Sequence, residues 1–158
     1  MCTCKRNGNA LTERHMNSYT KVKTDETRSY TYDALGRLNR SVRTDSISGK
    51  KSTSSYSFDA TSNMRIETDD GVDTYSYYNG LGQLTLKQGG KPASTYNYRY
   101  DANGNQITEK LDNNGITTFN YDVENRLSSV YKQDRLINAN AYNSSGQRIK
   151  KLSVSKIE

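Results

Sequence analysis

Aromatic and polar residues alternate along short runs of this chain. Tyr30-Thr31-Tyr32 leads into Asp33, and Tyr96, Tyr98 and Tyr100 are separated by Asn97 and Arg99. Period-2 alternation is the mark of a strand buried on one face. Each run then meets a short loop. After Asp33 come Ala34, Leu35 and Gly36, which predicts a three-residue hairpin loop: a type I turn closed by one residue in the left-handed region, where glycine is least strained. Asp33 suits the start of that turn because its carboxylate can accept from backbone amides ahead of it. With this loop, Asp33 faces Arg37 and Tyr32 faces Leu38, so a polar pair closes the hairpin and an apolar pair begins its buried face.

The same arrangement recurs along the chain. Tyr56-Ser-Phe58-Asp59, Tyr98-Arg-Tyr100-Asp101, Phe119-Asn-Tyr121-Asp122 and the shorter segment from Tyr142 align with it. A further copy runs from Tyr75 to Leu84, with Tyr77 at the aromatic position and one inserted residue. A half copy stands at Asn7-Gly8-Asn9-Ala10-Leu11. The glycine position is held by Gly8, Gly36, Ser62, Gly82, Gly104, Asn125 and Gly146. Asn125 tolerates positive φ and Ser62 does so less well, so the turn at Ser62 should be the least regular. In the register of Asp33 and Arg37, Asp122 lies opposite Arg126 and Tyr121 opposite Leu127. At Gly104 and Gly146 the first aliphatic comes one residue later, at Ile107 and Ile149, which predicts a bulge in those two repeats.

Further turn signals separate the hairpins: Ser48-Gly49, Asp69-Asp70-Gly71, Gln88-Gly89-Gly90 and Asn113-Asn114-Gly115. Turns at intervals of roughly 8 to 14 residues predict an all-β meander. The fold class is therefore all-β: antiparallel hairpin repeats stacked side by side into a curved strip, each touching mainly its neighbours. The expected boundaries are a disordered segment at 1–6, a repeat domain at 7–151 with about seven repeats, and a strand end or tail at 152–158. The only proline, Pro92, belongs in a turn or at a strand start. The unpaired ends of such a strip predict marginal stability or self-association through strand edges, blunted by Lys, Arg and Asp.

Composition sharpens this picture. Only 25 of 158 residues are Leu, Ile, Val or Phe, but 13 are tyrosine, and Ser, Thr and Asn number 18, 16 and 16. That mixture disfavours helices and suits half-buried strands whose phenol hydroxyls find polar partners. No apolar run approaches the roughly 20 residues of a transmembrane helix. The opening MCTCKRNGN lacks the apolar stretch of a signal peptide. The net charge is +6 and the pI about 9.2, yet the basic residues are scattered, with the densest runs at Lys21-Val22-Lys23 and Lys150-Lys151. That dispersion argues against nucleic-acid binding.

Tyr32-Asp33-Ala-Leu-Gly36-Arg37-Leu38, Tyr121-Asp122-Val-Glu-Asn125-Arg126-Leu127 and Tyr100-Asp101-Ala-Asn-Gly104 resemble the YD repeat of the Rhs/YD-repeat family, and the segment from Asn143 to Lys151 resembles a form found late in such arrays. The resemblance implies large secreted or surface proteins: polymorphic toxins, the C components of insecticidal toxin complexes, and teneurins. It implies a β-strip wound into a hollow shell, which in the toxins encloses a C-terminal effector. The family's terminal core carries a Asp-Pro-x-Gly-like motif and, in many members, Asp residues that release the effector; this sequence has no such motif. The chain thus resembles a piece of shell wall, a fragment of the repeat region whose partners are the rest of the shell and its effector.

Candidate chemistry is sparse. His15 is the only histidine and reads as a solvated loop residue without a catalytic partner. Cys2 and Cys4 are too few for a structural zinc site, which wants four ligands, and read as free thiols. Asp33, Asp59, Asp101 and Asp122 recur once per repeat, and recurrence points to turn formation rather than to a catalytic carboxylate pair. No catalytic residue, cofactor or metal is expected. The repeat motif itself is carried by Tyr32, Asp33, Gly36, Arg37, Leu38, Phe58, Asp59, Tyr77, Gly82, Leu84, Tyr100, Asp101, Gly104, Tyr121, Asp122, Asn125, Arg126, Leu127, Tyr142 and Gly146. The alternative reading is a carbohydrate-binding module, with Tyr96, Tyr98 and Tyr100 stacking on sugar rings; the family resemblance lends it support.

Overall fold

A computed structural model describes residues 2–4, 9–17, 24–112 and 114–154, with side chains described from residue 9 onward except at 17. Among these residues the chain forms strands and turns only. The strands are β1 (Cys2–Cys4), β2 (Ala10–Asn17), β3 (Thr24–Tyr32), β4 (Leu38–Asp45), β5 (Lys51–Phe58), β6 (Met64–Asp69), β7 (Val72–Tyr78), β8 (Leu84–Gly89), β9 (Ser94–Tyr100), β10 (Gln106–Leu111), β11 (Ile116–Tyr121), β12 (Leu127–Lys132), β13 (Arg135–Tyr142) and β14 (Arg148–Ser153). They lie in one sheet in strict chain order. Every pairing resolved strand by strand is antiparallel, from β1 to β7 and from β9 to β14.

The predicted alternation holds. Tyr96, Tyr98 and Tyr100 lie on the half-buried face of β9, while Asn97 and Arg99 are exposed. Burial is nevertheless shallow. Val130 at 8% is the only buried apolar side chain among the described residues, and Ser76 the only buried polar one. A single sheet has no second layer to close over its aromatic face. Apolar character does not by itself mark core positions here: Leu35, Leu81 and Val123 sit in the loops at 73%, 84% and 99% exposure.

Tyr32 pairs with Leu38 as expected, and Phe58 with Met64, Tyr100 with Gln106, Tyr121 with Leu127 and Tyr142 with Arg148 follow the same rule. A register shift accompanies every one of these pairs, at Asn39, Arg65, Ile107, Ser128 and Ile149. The bulge is thus a property of the repeat and not, as the placement of the aliphatics suggested, of the repeats at Gly104 and Gly146 alone. The bulged Ser128 donates its hydroxyl to the Asn120 carbonyl at 3.0 Å, and Thr85, at the same place in its repeat, donates to that of Tyr77 at 3.1 Å.

The expected disorder at 1–6 is corrected at Cys2–Cys4. These residues form a strand in which Cys4 pairs with Ala10, again with a register shift, so Cys4 holds the place that tyrosine holds elsewhere. Residues 1, 5 and 6 and Gly8 of the half repeat lie outside the described residues, as does the end of the predicted tail, 155–158. His15 is exposed as expected, but on β2 rather than in a loop, with Nε2 3.3 Å from the Glu13 carboxylate.

The turns opposite the repeat loops differ among themselves. Asp70-Gly71 and Gln133-Asp134 are two-residue turns with positive φ at both residues, the type I′ geometry that matches strand twist. The first was legible as Asp-Gly; the second has no glycine and gave no signal. Gly89 is needed for another reason: a Cβ there would sit 2.3 Å from the Asp73 carbonyl oxygen. Pro92 occupies the turn between β8 and β9.

Candidate functional site

The chemistry-bearing residues converge on the row of repeat loops. Each loop is described here by position: 1 for the aromatic residue, 2 for the Asp or Asn after it, 5 for the left-handed residue, then 6, 7 and the bulged 8. Six loops share one backbone. The N–H of position 2 donates to the carbonyl of position 6, and the N–H of position 5 donates back to the carbonyl of position 2, at 2.9–3.1 Å throughout. Position 5 has positive φ in all six, at Gly36, Ser62, Gly82, Gly104, Asn125 and Gly146. The Ser62 loop, expected to be the least regular, keeps both bonds at a φ of 69°.

Position 2 supplies the acceptor that holds each loop. Oδ1 of Asp33, Asp59, Asn79, Asp101, Asp122 and Asn143 accepts from the backbone N–H groups two and four residues on, at 2.9–3.0 Å. Asn79 therefore takes position 2, and Tyr78, not Tyr77, takes position 1. This corrects the sequence alignment: the repeat has no inserted residue, and Tyr77 lies with Tyr75 on the exposed face of β7.

The other side-chain atom of position 2 meets position 6, and the two are chemically matched. Where position 2 is Asp, position 6 is a donor: Arg37 Nε at 2.7 Å, Asn63 Nδ2 at 3.2 Å, Asn105 Nδ2 at 3.0 Å and Arg126 Nε at 2.7 Å. Where position 2 is Asn, position 6 is Gln, whose Oε1 accepts from Asn79 Nδ2 at 2.7 Å and from Asn143 Nδ2 at 3.1 Å. The backbone donors and the Arg126 guanidinium hold the Asp122 carboxyl below the usual carboxylate range. At Asp101 the Asn105 amide does the same. At Asp33 partial desolvation pushes upward, but the Arg37 amide and guanidinium outweigh it and the carboxyl is lowered.

Position 6 also reaches the next repeat. The Arg37 guanidinium lies 4.6 Å from the Phe58 ring centroid, and Nη1 donates to Ser62 Oγ at 2.9 Å. Arg126 lies 4.8 Å from the Tyr142 ring centroid, with Nη1 3.4 Å from the Asn143 carbonyl oxygen. Asn105 and Asn103 both donate to Asn125 Oδ1, at 2.8 and 3.0 Å. The two loops without glycine at position 5 are thus the two in which that side chain receives a bond from the repeat before it, a return that offsets the strain of positive φ.

Position 1 reaches the other way. The hydroxyls of Tyr32, Tyr100, Tyr121 and Tyr142 donate to the carbonyls of Ala10, Leu84, Gln106 and Leu127, at 2.8–3.0 Å. Each acceptor is position 7 of the preceding repeat. Each of these boundaries is fixed by a phenol bond in one direction; where position 6 of the preceding repeat is Asn9, Asn105 or Arg126, a second bond runs in the other. Sequence reading placed these tyrosines on the buried face but did not find their acceptors, because the acceptor is a backbone carbonyl of whatever residue stands there.

This constellation has known relatives. Residues 100–135, from Tyr100 through the loop at Asp122, match the model of the RHS repeat. That stretch is similar to an RHS repeat. The likeness extends to solved structures. The TcdB2-TccC3-Cdc42 crystal structure superimposes with a TM-score of 0.68 over 97% of this chain at 18% identity, and TcdB2-TccC3-TEV with 0.62 over 96% at 15%. TcdB2-TccC3 without its hypervariable C-terminal region gives 0.65 over 94% at 15%. This chain spans only 9%, 11% and 9% of those chains, and at these identities the likeness is one of fold. No curated protein matches the sequence.

The remaining candidate residues are placed as follows. Tyr96 and Tyr98 are parallel, at an interplanar angle of 7° with centroids 6.3 Å apart. An open concavity of about 490 Å³ lies chiefly on the other face of β9 and β10, lined by Asn97, Arg99, Thr108 and Lys110, with Tyr98 at its border. Tyr100 shares the face of Tyr96 and Tyr98, but its hydroxyl is committed to Leu84. Among the described residues no three His, Cys, Asp or Glu side chains converge as metal ligands, and no helix is long and apolar enough to cross a membrane.

Proposed function

We propose that this chain is a section of non-catalytic wall: RHS-type hairpins that form part of the encapsulating shell of a larger secreted or cell-surface protein, around an effector. The observation that carries this reading is the use made of the polar side chains. The carboxylates and amides that an active site would need are spent, loop after loop, on closing a turn or gripping the adjacent repeat. His15, the one general-base candidate by residue type, has only Glu13 beside it on an exposed strand. Shallow burial suits a wall whose aromatic face is covered by something other than this chain. The fold shared with a small part of much larger assemblies supports the same reading. In a longer protein that contains this chain and an effector, the intact repeats should shield the effector from added protease. Arg37→Ala with Arg126→Ala should expose it. Equal digestion with intact and disrupted repeats would reject the enclosing role.

A second reading is supported by the parallel, half-buried rings of Tyr96 and Tyr98: a carbohydrate-binding face, with the Tyr100 ring at its end. Tyrosine fluorescence titrated with oligosaccharides tests it. A saturating change lost in Tyr98→Ala is expected if it is right, and no response to any sugar rejects it.

A further inference from the structure

Arg14, Arg28, Arg37, Arg43 and Arg126 each hold a carboxylate. Arg99 does not. Its side chain and that of Lys110 have neither a hydrogen bond nor an ion pair among the described residues. The ladder brings these two cations together. Tyr96, Tyr98 and Tyr100 take one face of β9, so Asn97 and Arg99 take the other. On that other face Thr108 stands opposite Arg99 and Lys110 opposite Asn97, while Ile116 of β11 stands opposite Lys110. Arg99 and Lys110 are thus diagonal neighbours on adjacent strands, roughly 7–8 Å apart at the backbone and within reach of one shared group. The concavity of about 490 Å³ lies over this square and is also lined by Thr85 and Ile116. Among the described residues no carboxylate lines it. Glu109, the acid between Thr108 and Lys110, alternates to the aromatic face, opposite Tyr98. Two cations held side by side without an acid repel each other, and an anion placed between them removes that cost.

We propose that this concavity binds an acidic sugar: a uronic-acid unit whose carboxylate sits between Arg99 and Lys110 and whose hydroxyls meet Asn97 and Thr108. The guanidinium of Arg99 presents a planar fork that matches a carboxylate, and Lys110 adds a point charge. Asn97 offers both a donor and an acceptor, and Thr108 a hydroxyl, which are the groups that ring hydroxyls pair with. Ile116, 45% exposed, gives the C–H face of a sugar ring an apolar neighbour. A bare inorganic ion would use none of these neutral groups and would fill little of the volume. A nucleic acid fits poorly, because the stacking surface it wants is the tyrosine row on the opposite face. The site is separate from the Tyr96–Tyr98 face, and it does not require that the wall enclose anything.

NMR shifts of the full chain titrated with trigalacturonate test the proposal. Saturable shifts are expected at Asn97, Arg99, Thr108 and Lys110, with binding that weakens as salt is raised. Neutral galactotriose should give no saturation over the same range. Arg99→Gln and Lys110→Gln should each weaken binding by up to about fivefold, the worth of one exposed ion pair. Both side chains are exposed, so the sheet should persist in these variants, as unchanged circular dichroism would verify. Arg99→Lys keeps the charge but loses the fork, and should fall between the parent chain and Arg99→Gln. Glu109→Gln, on the opposite face, should leave binding unchanged. Sodium sulfate that binds as tightly as trigalacturonate would reduce the site to one for any anion and overturn the sugar assignment. A titration without saturation, shifts confined to the tyrosine face, or binding that survives the double change Arg99→Gln with Lys110→Gln would overturn the site itself.

Discussion

The loops at Asp122 and Asn79 have one backbone and two chemistries. Both close with the same pair of main-chain bonds, and both place an Oδ1 atom under the amides two and four residues ahead. What differs is charge. Asp122 is matched with Arg126, and Asn79 with Gln83. The turn therefore requires an acceptor at position 2, not a carboxylate. At Asp122 the carboxylate brings a longer partner: Arg126 binds Asp122 through Nε, and its Nη1, 2.6 Å from the Glu124 carboxylate, also lies 3.4 Å from the Asn143 carbonyl oxygen while the guanidinium packs on the Tyr142 ring. Closing a loop and gripping a neighbour are separable tasks, and only the second depends on which pair is used.

The largest effect should be the same in both loops, because it falls on their shared backbone. Gly82→Val in the Asn79 loop and Gly104→Val in the Asp101 loop each force a β-branched residue to positive φ and should each cost about 2–3 kcal/mol in a denaturant melt. A clear difference between them would mean that the two backbones are not equivalent. Next comes the pairing itself. Asp122→Asn and Arg126→Gln should each lower the melting temperature by several degrees, whereas the double variant, which rebuilds the Asn–Gln pair, should recover part of the loss. Strict additivity of the two losses would contradict the matching.

Acid should divide the two classes. The carboxyls of Asp33, Asp59, Asp101 and Asp122 lie below the ordinary carboxylate range in the folded chain. A lowered folded value means stability that is present above the unfolded value and lost as the pH falls through the folded one. Hydrogen exchange between about pH 5 and about pH 2 should thus show the Asp loops opening while the Asn79 and Asn143 loops hold. Simultaneous opening of both kinds would remove the distinction.

Smaller effects test the phenol bonds. Tyr121→Phe should cost about 1 kcal/mol. Phe58→Tyr should gain up to that amount, because its new hydroxyl would point at the Leu38 carbonyl, the equivalent acceptor. The smallest change is expected for Asn125→Gly, in which relief of positive φ offsets the loss of the bonds from Asn103 and Asn105; a melting temperature within a degree or two of the parent chain is the expected result.

The sequence made the hairpins legible because tyrosine alternation and the Asp-x-x-Gly loop are local signals. Tyr32 opposite Leu38 and Tyr121 opposite Leu127 follow directly from loop length. Tyr77 was misplaced because Tyr75, Tyr77 and Tyr78 offer two alternations, and a strict Asp hid the equivalence of Asn79 to Asn143. Counting three residues back from Gly82 would have resolved it. The match of Asp with Arg or Asn, and of Asn with Gln, was also present in the sequence, four residues apart in each of the six complete repeats. The bulge was not legible, since Asn39, Arg65, Ile107, Ser128 and Ile149 share no residue type. Nor was the turn at Gln133-Asp134, where the ladder imposes positive φ on residues that do not request it. The contacts between repeats were illegible for a further reason: they end on backbone carbonyls and ring faces, which any sequence offers.

The central claim is that each repeat is held by its immediate neighbours through positions 1 and 6. Residue-resolved hydrogen exchange on Arg126→Ala tests it directly. The account predicts faster exchange at the Asn143 and Gly146 amides of the following loop and at the loop of Arg126 itself, with the Asp101 loop unchanged. Uniform loss of protection along the chain, or an unaffected Asn143 loop, would contradict it.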